Sequence, residues 1–168
     1  MVSPVHRWVR ISLFNLLIVA SLGVTLRYKI LYPLPIVDQK HLLHGHSHFA
    51  FAGWISQAIM TLMVTYLSRQ AGDGMYKRYR WLLYANLFTA YAMLVAFPIE
   101  GYGLYSIIFS TASIFVSYAF AVYVWRDLDK LKDKTPTHLW FKAAVFFNAF
   151  SSIGAFALAF MMVNRVVF

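Results

Sequence analysis

Five apolar stretches, each near the length that crosses a lipid bilayer, constrain the fold of this chain more than any other feature. A helix needs about 20 mostly apolar residues to cross roughly 30 Å of hydrocarbon. The stretches cover residues 11–26, 49–67, 81–98, 104–125 and 140–163, and the second has an alternative, earlier start at a group of histidines. The sequence therefore predicts an all-α integral membrane bundle of about five transmembrane helices, as one domain over residues 1–168.

The composition favours a membrane protein over a soluble domain. Hydrophobic residues make up 61% and charged residues 12% of the chain, against about 45–50% and about 25% in soluble domains. The formal net charge is +9, but the basic residues lie at helix ends and in loops, so no nucleic-acid partner is expected. Because cysteine is absent, disulfides, thiolate metal sites and cysteine nucleophiles are excluded, and metal chemistry would use histidine, methionine or oxygen ligands.

Lysine and arginine residues are shared unequally between the two ends of the predicted helices. One side holds eleven of them, Arg7, Arg10, Arg69, Lys77, Arg78, Arg80, Arg126, Lys130, Lys132, Lys134 and Lys142, and the other holds four, Arg27, Lys29, Lys40 and Arg165. Cytoplasmic loops carry the excess of such residues, so the N-terminus is predicted in the cytoplasm and the C-terminus outside. The predicted location is the cell (inner or plasma) membrane, with the lipid bilayer as a partner.

Four of the six histidines, His41, His44, His46 and His48, fall within eight residues at the predicted outer mouth of the second helix. Neutral imidazole is the commonest metal ligand in proteins, and an ionisable residue at the edge of hydrocarbon is functional by default. All four are predicted metal ligands. At 100° per residue, His41, His44 and His48 share one helix face, and His46 points roughly 165° away from them.

The two helix faces below these histidines differ in character. Below His46 lie small and polar residues, which are predicted to look into the bundle: Ala50, Gly53, Gln57, Met60 and Thr61. Below His48 lies an apolar face that suits lipid or the flat surface of a haem: Ala52, Ile55, Ile59 and Leu62. Periodicity therefore leaves both His46 and His48 open as haem ligands, with His44 beside them. A helix break at Gly45 would change which of these residues share a helix face.

Other residues are predicted to support such a site or the helix packing around it. Arg27, Lys29 or Lys40 would pair with haem propionates at the outer surface. His6 and His138 lie at the opposite face, so the candidates for a second axial ligand are Met161 and Met162. Glu100 is expected as a solvated carboxylate, with Arg27, Lys40 or a histidine as alternative partners, and Asn148 as a hydrogen-bonding contact between helices.

The run HSHFAFAGWISQAIMTLMVTYL, residues 46–67, resembles the second helix of the haem-copper oxidase subunit I superfamily, in particular its nitric-oxide-reductase branch and related haem- and copper-binding membrane proteins. The matching positions are His48 or His46, the Gly53-Trp54 pair and the Tyr66-Leu67 helix end. The resemblance implies a histidine as axial ligand of a low-spin haem.

The superfamily's copper ligands and second haem ligand lie in helices beyond the fifth, so the chain would be an N-terminal part or a reduced relative. It would take part in electron transfer or nitric-oxide metabolism, without catalysis of its own, beside other respiratory subunits or itself.

Other functions stay open on the sequence. The alternating His44-Gly45-His46-Ser47-His48 is similar to the histidine-rich loops of zinc transporters, so copper or zinc binding for transport or sensing is an alternative. No carboxylate lies within the predicted helices, where a transporter needs midplane ligands. A cofactor-free structural or assembly subunit is a second alternative. A hydrolase or hydroxylase is disfavoured, because only one histidine cluster is present.

Overall fold

The computed structural model describes residues 4–72, 74–131 and 135–163, and these are helical apart from short connections. The helices are α1 (Pro4–Leu31), α2 (Gln39–His48), α3 (Gln57–Ala71), α4 (Gly74–Glu100), α5 (Leu104–Lys130) and α6 (Pro136–Val163). Between α2 and α3 the chain stays helical as a π-helix, Phe49–Ser56. Within the described residues, five helical spans are long and apolar enough to cross a membrane, and one of them is the continuous run Gln39–Ala71. The prediction of about five such helices in an all-α fold is confirmed.

The helices extend beyond the apolar stretches because their ends carry residues suited to starting or stopping a helix. Asp38 caps the first turn of α2. Gly72, with φ of 93°, follows α3, and Gly101, with φ of 62°, follows α4. Left-handed backbone of this kind favours glycine and commonly ends a helix. The early start of the second span, at the histidines, is the one that the structure adopts.

The chain divides into two compact units, Met1–Val116 and Ser117–Phe168, and the boundary falls inside α5. The first unit contains the four histidines. In the second unit, the Asn148 side chain of α6 donates a hydrogen bond to Ser117 Oγ of α5, which confirms its expected role between helices. Lys132, Lys134 and Arg165 lie outside the described residues.

The π-helix interrupts the regular hydrogen-bond ladder of the second span at its centre. The N–H of Gln57 donates to the carbonyl of Trp54, whereas the α-helical and π-helical partners of that N–H would be the carbonyls of Gly53 and Ala52. Two asparagines from neighbouring helices donate to these same carbonyls. Asn15 of α1 bonds Gly53 C=O at 2.5 Å, and Asn86 of α4 bonds Ala52 C=O at 3.0 Å.

Further side chains complete this polar layer. Asn86 also donates to Gln57 Oε1 at 2.9 Å, and the Tyr91 hydroxyl donates to Asn15 Oδ1 at 2.7 Å. Asn15, Gln57 and Asn86 are all buried. Because a buried carbonyl without a donor is costly, these bonds hold α1 and α4 to the middle of the span.

The deeper part of the span orients its two faces as the periodicity predicts. Gln57, Met60 and Thr61 are 0%, 5% and 1% exposed, whereas Ile55, Ile59 and Leu62 are 37%, 46% and 59% exposed. The expectation that one continuous apolar face also includes His48 is wrong. The π-helix after His48 has more residues per turn than an α-helix, so it rotates the apolar face of α3 relative to His48. The alternative of a break at Gly45 is also wrong, since α2 continues through it.

Replacing Asn86 with leucine tests the polar layer. The substitution removes the hydrogen bonds that Asn86 donates to Ala52 C=O and Gln57 Oε1, and we expect a loss of about 1–3 kcal/mol in the free energy of unfolding. Denaturant unfolding of the purified protein in detergent measures it. Gln70→Leu, at an exposed position near the end of α3, is the matched control, and equal stability of both variants would contradict the assigned role.

Replacing Gly53 with leucine tests the packing of the π-helix. A Cβ at Gly53 would lie 2.6 Å from the ring of Phe49, which is fully buried and packs edge-on against Tyr91. We expect overpacking to cost about 1–3 kcal/mol and to lower the yield of folded protein. Gly154→Leu is the control, because a Cβ there meets nothing within 4 Å, and a wild-type yield for Gly53→Leu would show that the ring has room to move.

Candidate functional site

The outer end of the second span is fixed by Asp38. Its carboxylate accepts hydrogen bonds from the N–H groups of Lys40 at 2.8 Å and His41 at 2.9 Å. The bond from His41 is the main reason that the pKa of Asp38 lies below its ordinary value of 3.8. This cap fixes the residue at which α2 begins, and so sets the rotation of every histidine on the helix.

His46 faces α1 and lines an open groove between α1 and α2. The groove has a volume of about 700 Å³ and is lined by Ala20, Gly23, Val24, Leu26, Arg27, Ile30, Gln39, Leu43 and His46. The imidazole lies beside Gly23, where a Cβ would be 3.5 Å from His46 Cε1, an ordinary contact distance. Its Nδ1 is buried and has no hydrogen-bond partner among the described residues.

His44 and His48 face the opposite way and pack against the outer end of α4. His48 stacks on Phe97, with ring centroids 4.2 Å apart and planes 13° apart. His44 meets Tyr102 edge-on, with centroids 4.6 Å apart. Between these two histidines, Gly45 allows the Pro98 ring to come close, because a Cβ there would lie 3.1 Å from it.

His41 lies over the turn that follows α4. A Cβ at Gly101 would lie 2.5 Å from His41 Nε2. This position therefore requires glycine both because the imidazole leaves no room for a side chain and because its φ is positive. The carboxylate of Glu100 accepts the N–H of Ser106 at 2.6 Å and thereby caps the first turn of α5. The sequence did not predict this capping role for Glu100.

The structure therefore divides the four histidines between two faces, as the helical phases predict. Within residues 4–72, 74–131 and 135–163, no group of three or more His, Asp or Glu side chains comes together to hold a metal ion. Joint coordination of copper or zinc by His41, His44, His46 and His48 stays a prediction without support from the geometry.

Of the predicted cofactor-binding residues, the structure brings His46 and Arg27 into one groove. Arg27 is exposed and has no ion pair among the described residues. Lys29 is engaged elsewhere, because its Nζ donates to Leu34 C=O at 2.7 Å. Met161 belongs to the C-terminal unit, and the side chain of its neighbour Met162 lies outside the described residues.

Gln39 and Gly23 are two of the groove residues to which the sequence analysis gave no role in the site. Both belong to recognisable helix faces: Gln39, Leu43 and His46 follow i, i+4, i+7 spacing, as do Ala20, Gly23, Val24 and Arg27 with i, i+3, i+4, i+7. These spacings are weak signals on their own, because they acquire a functional meaning only when α1 and α2 are known to face each other.

No protein-family model matches the chain, and no curated protein or solved structure matches it significantly. The resemblance of residues 46–67 to haem-copper oxidase subunit I therefore stays a prediction. A function for this chain has to be proposed from the geometry of its two histidine faces.

Replacing Asp38 with alanine tests the cap that orients the histidines. Because the pKa of Asp38 is lowered by the hydrogen bonds it accepts, the cap is complete at neutral pH and is lost only as the pH falls through that lowered pKa. We expect Asp38→Ala to speed amide hydrogen exchange at Lys40 and His41 at neutral pH. Asp38→Asn, which keeps an acceptor, should exchange slowly, and slow exchange in both variants would show that another group holds the turn.

Proposed function

We propose that this chain is a multi-pass membrane protein of the cell membrane that binds haem in the groove between α1 and α2 and serves electron transfer. The five long apolar helices support residence in a bilayer, and the excess of basic residues at one end supports a cytoplasmic N-terminus. The single observation that carries the haem site is the placement of His46 and Arg27 in one apolar groove.

The groove fits a haem by size and by the chemistry of its lining. Cofactor sites commonly measure about 300–1,000 Å³ and are mostly apolar with a few placed polar groups, and the groove has about 700 Å³. An imidazole is the usual axial ligand of haem iron. An exposed arginine suits carboxylate groups at the edge of such a cofactor.

His46 is the preferred axial ligand over His48. His46 lines the groove, and its buried Nδ1 has no partner among the described residues. His48 stacks on Phe97 and His44 packs against Tyr102, so both imidazoles lie on the side of α4 and neither lines the groove.

Each residue then has a defined task. His46 would supply an imidazole nitrogen to the iron, Arg27 would pair with a propionate, and the aliphatic residues of α1 would exclude water. A bound haem supplies a one-electron redox couple whose potential depends on its axial ligand and on burial. Arg27 is exposed, so its pairing is expected to contribute only about 0.2–1 kcal/mol.

The single axial histidine also bears on whether the chain acts alone. A chain with one axial histidine in its outer half fits the role of an oxidase-like electron carrier, and not of a catalyst acting alone. We propose that it works beside other respiratory subunits or a second copy of itself. If the chain binds copper or zinc in place of haem, the purified protein would contain the metal but show no Soret band.

Oxidised and dithionite-reduced absorption spectra of the purified chain, expressed with sufficient haem, test the proposal. We expect a Soret band that His46→Ala abolishes, because the iron loses its ligand. His6→Ala should leave the spectrum unchanged, and His48→Ala should leave most of the band. A band that disappears with His48→Ala and survives His46→Ala would place the haem on the α4 side instead.

A pair of substitutions at Gly23 separates the groove from other haem positions. Gly23→Ala adds a Cβ at ordinary contact distance from His46 and should retain haem. Gly23→Leu extends a side chain into the groove and should reduce haem content several-fold without altering any ligand. Full haem in both variants, or a colourless wild-type protein that is well folded, would overturn the proposed site.

A further inference from the structure

The end of the first unit at which α1 and α4 begin carries a surface of exposed cations. Its exposed basic residues are Arg7, Arg10, Arg69, Lys77 and Arg80. Among the described residues of this unit, the acidic side chains are those of Asp38 and Glu100, and both lie at the opposite end of the helices. The positive charge is therefore not neutralised within the described part of the unit, and it attracts anions.

Tyr84 fixes the position of one of these cations. The guanidinium of Arg7 in α1 lies over the Tyr84 ring of α4, with Cζ 6.0 Å from the ring centroid. The next residue, Trp8, is 4% exposed and meets the same ring edge-on, with centroids 4.8 Å apart. Tyr84 therefore holds the start of α1 against α4. An arginine held over an aromatic face keeps its N–H donors available to an anion.

Two further cations lie on the same face of α4 as Tyr84. At 100° per residue, Lys77, Arg80 and Tyr84 fall within about 60° of one another. Side chains four residues apart on a helix begin about 5–6 Å from each other, so Arg80 starts one turn from Tyr84. The guanidinium of Arg7 lies beside that ring, so the two arginines can donate to one phosphate group, and Lys77 adds a third positive charge.

These residues would lie at the level of the lipid headgroups in a bilayer. The apolar stretch of α4 begins at Trp81, whose side chain is 51% exposed. Tryptophan is enriched at the boundary between hydrocarbon and headgroups. Arg80 and Lys77 precede Trp81 on the helix, so they lie just outside the hydrocarbon, in the polar headgroup region.

We propose that Arg7, Arg80 and Lys77 bind the headgroup of an anionic phospholipid. The two guanidinium groups donate charge-assisted hydrogen bonds to the phosphate, and clusters of basic residues at the end of a membrane helix recognise anionic lipids. A zwitterionic headgroup fits less well, because its ammonium group would lie among three cations without a carboxylate in the described part of the unit. The inference rests on the residence in a bilayer that is part of the proposed function, and it is independent of haem.

Native mass spectrometry of the purified protein in detergent, with phosphatidylglycerol or phosphatidylcholine added at equal concentration, tests the proposal. We expect phosphatidylglycerol to bind several-fold better. Arg7→Gln and Arg80→Gln should each weaken its binding about fivefold, the contribution of one basic residue near an anionic surface, and should affect phosphatidylcholine much less. Arg69→Gln, which removes an exposed cation of the same end from α3, is the control and should match wild type.

A pair of substitutions at Tyr84 distinguishes an arranged site from a general attraction between charges. Tyr84→Leu keeps every cation but removes the ring that holds Arg7, so it should also weaken phosphatidylglycerol binding. Tyr84→Phe keeps the ring and should match wild type. If Tyr84→Leu fails to fold, Arg7→Gln and Arg80→Gln, at exposed positions, still decide the question.

The outcomes separate this inference from the haem site. Equal binding of both lipids to wild type overturns it, as does an equal loss in Arg69→Gln and Arg7→Gln, because the lipid would then follow net charge alone. Inorganic phosphate that binds without lipid and is lost in Arg7→Gln would identify a free anion as the ligand and overturn the lipid. A phosphatidylglycerol preference that depends on Arg7, in a protein that takes up no haem, supports the inference and overturns the haem site.

Discussion

The structure depends on a small number of hydrogen bonds to backbone carbonyls at the centre of the second span. In apolar surroundings water cannot satisfy a carbonyl that the helix ladder leaves free. Asn15 and Asn86 donate side-chain hydrogen bonds to the carbonyls of Gly53 and Ala52 in the irregular π-helical segment. These donors come from two different helices, so one local irregularity ties three parts of the first unit together and fixes the position of the outer arm, α2.

The fixed outer arm explains why four neighbouring histidines form no common site. Aromatic and proline contacts with α4 occupy the side that carries His44 and His48, and His41 lies over the turn at Gly101. Of the four, His46 is the one that lines the groove beside α1. A spacing of two residues separates side chains on a helix, so closeness along the chain is a poor guide to a shared metal centre.

The sequence allowed the helix number, the all-α class and the buried face of α3 to be predicted, because each follows from apolar length or from the 3.6-residue period. The π-helix could not be predicted from those signals. It changes the rotation between His48 and Ile55, so the face that follows His48 along the span could not be read from a constant helical period. The capping role of Glu100 also could not be predicted, because it depends on how the short turn after α4 brings the start of α5 back toward this carboxylate.

The lining of the groove limits how this chain could hold the proposed haem. All the lining residues belong to α1 and α2, so two helices form its walls and supply one imidazole. Apart from His46, none of these lining residues is a histidine or methionine that could ligate iron. The proposed electron-transfer role is consequently one of partnership, in which this chain provides the orientation, one ligand and a cation at the outer end.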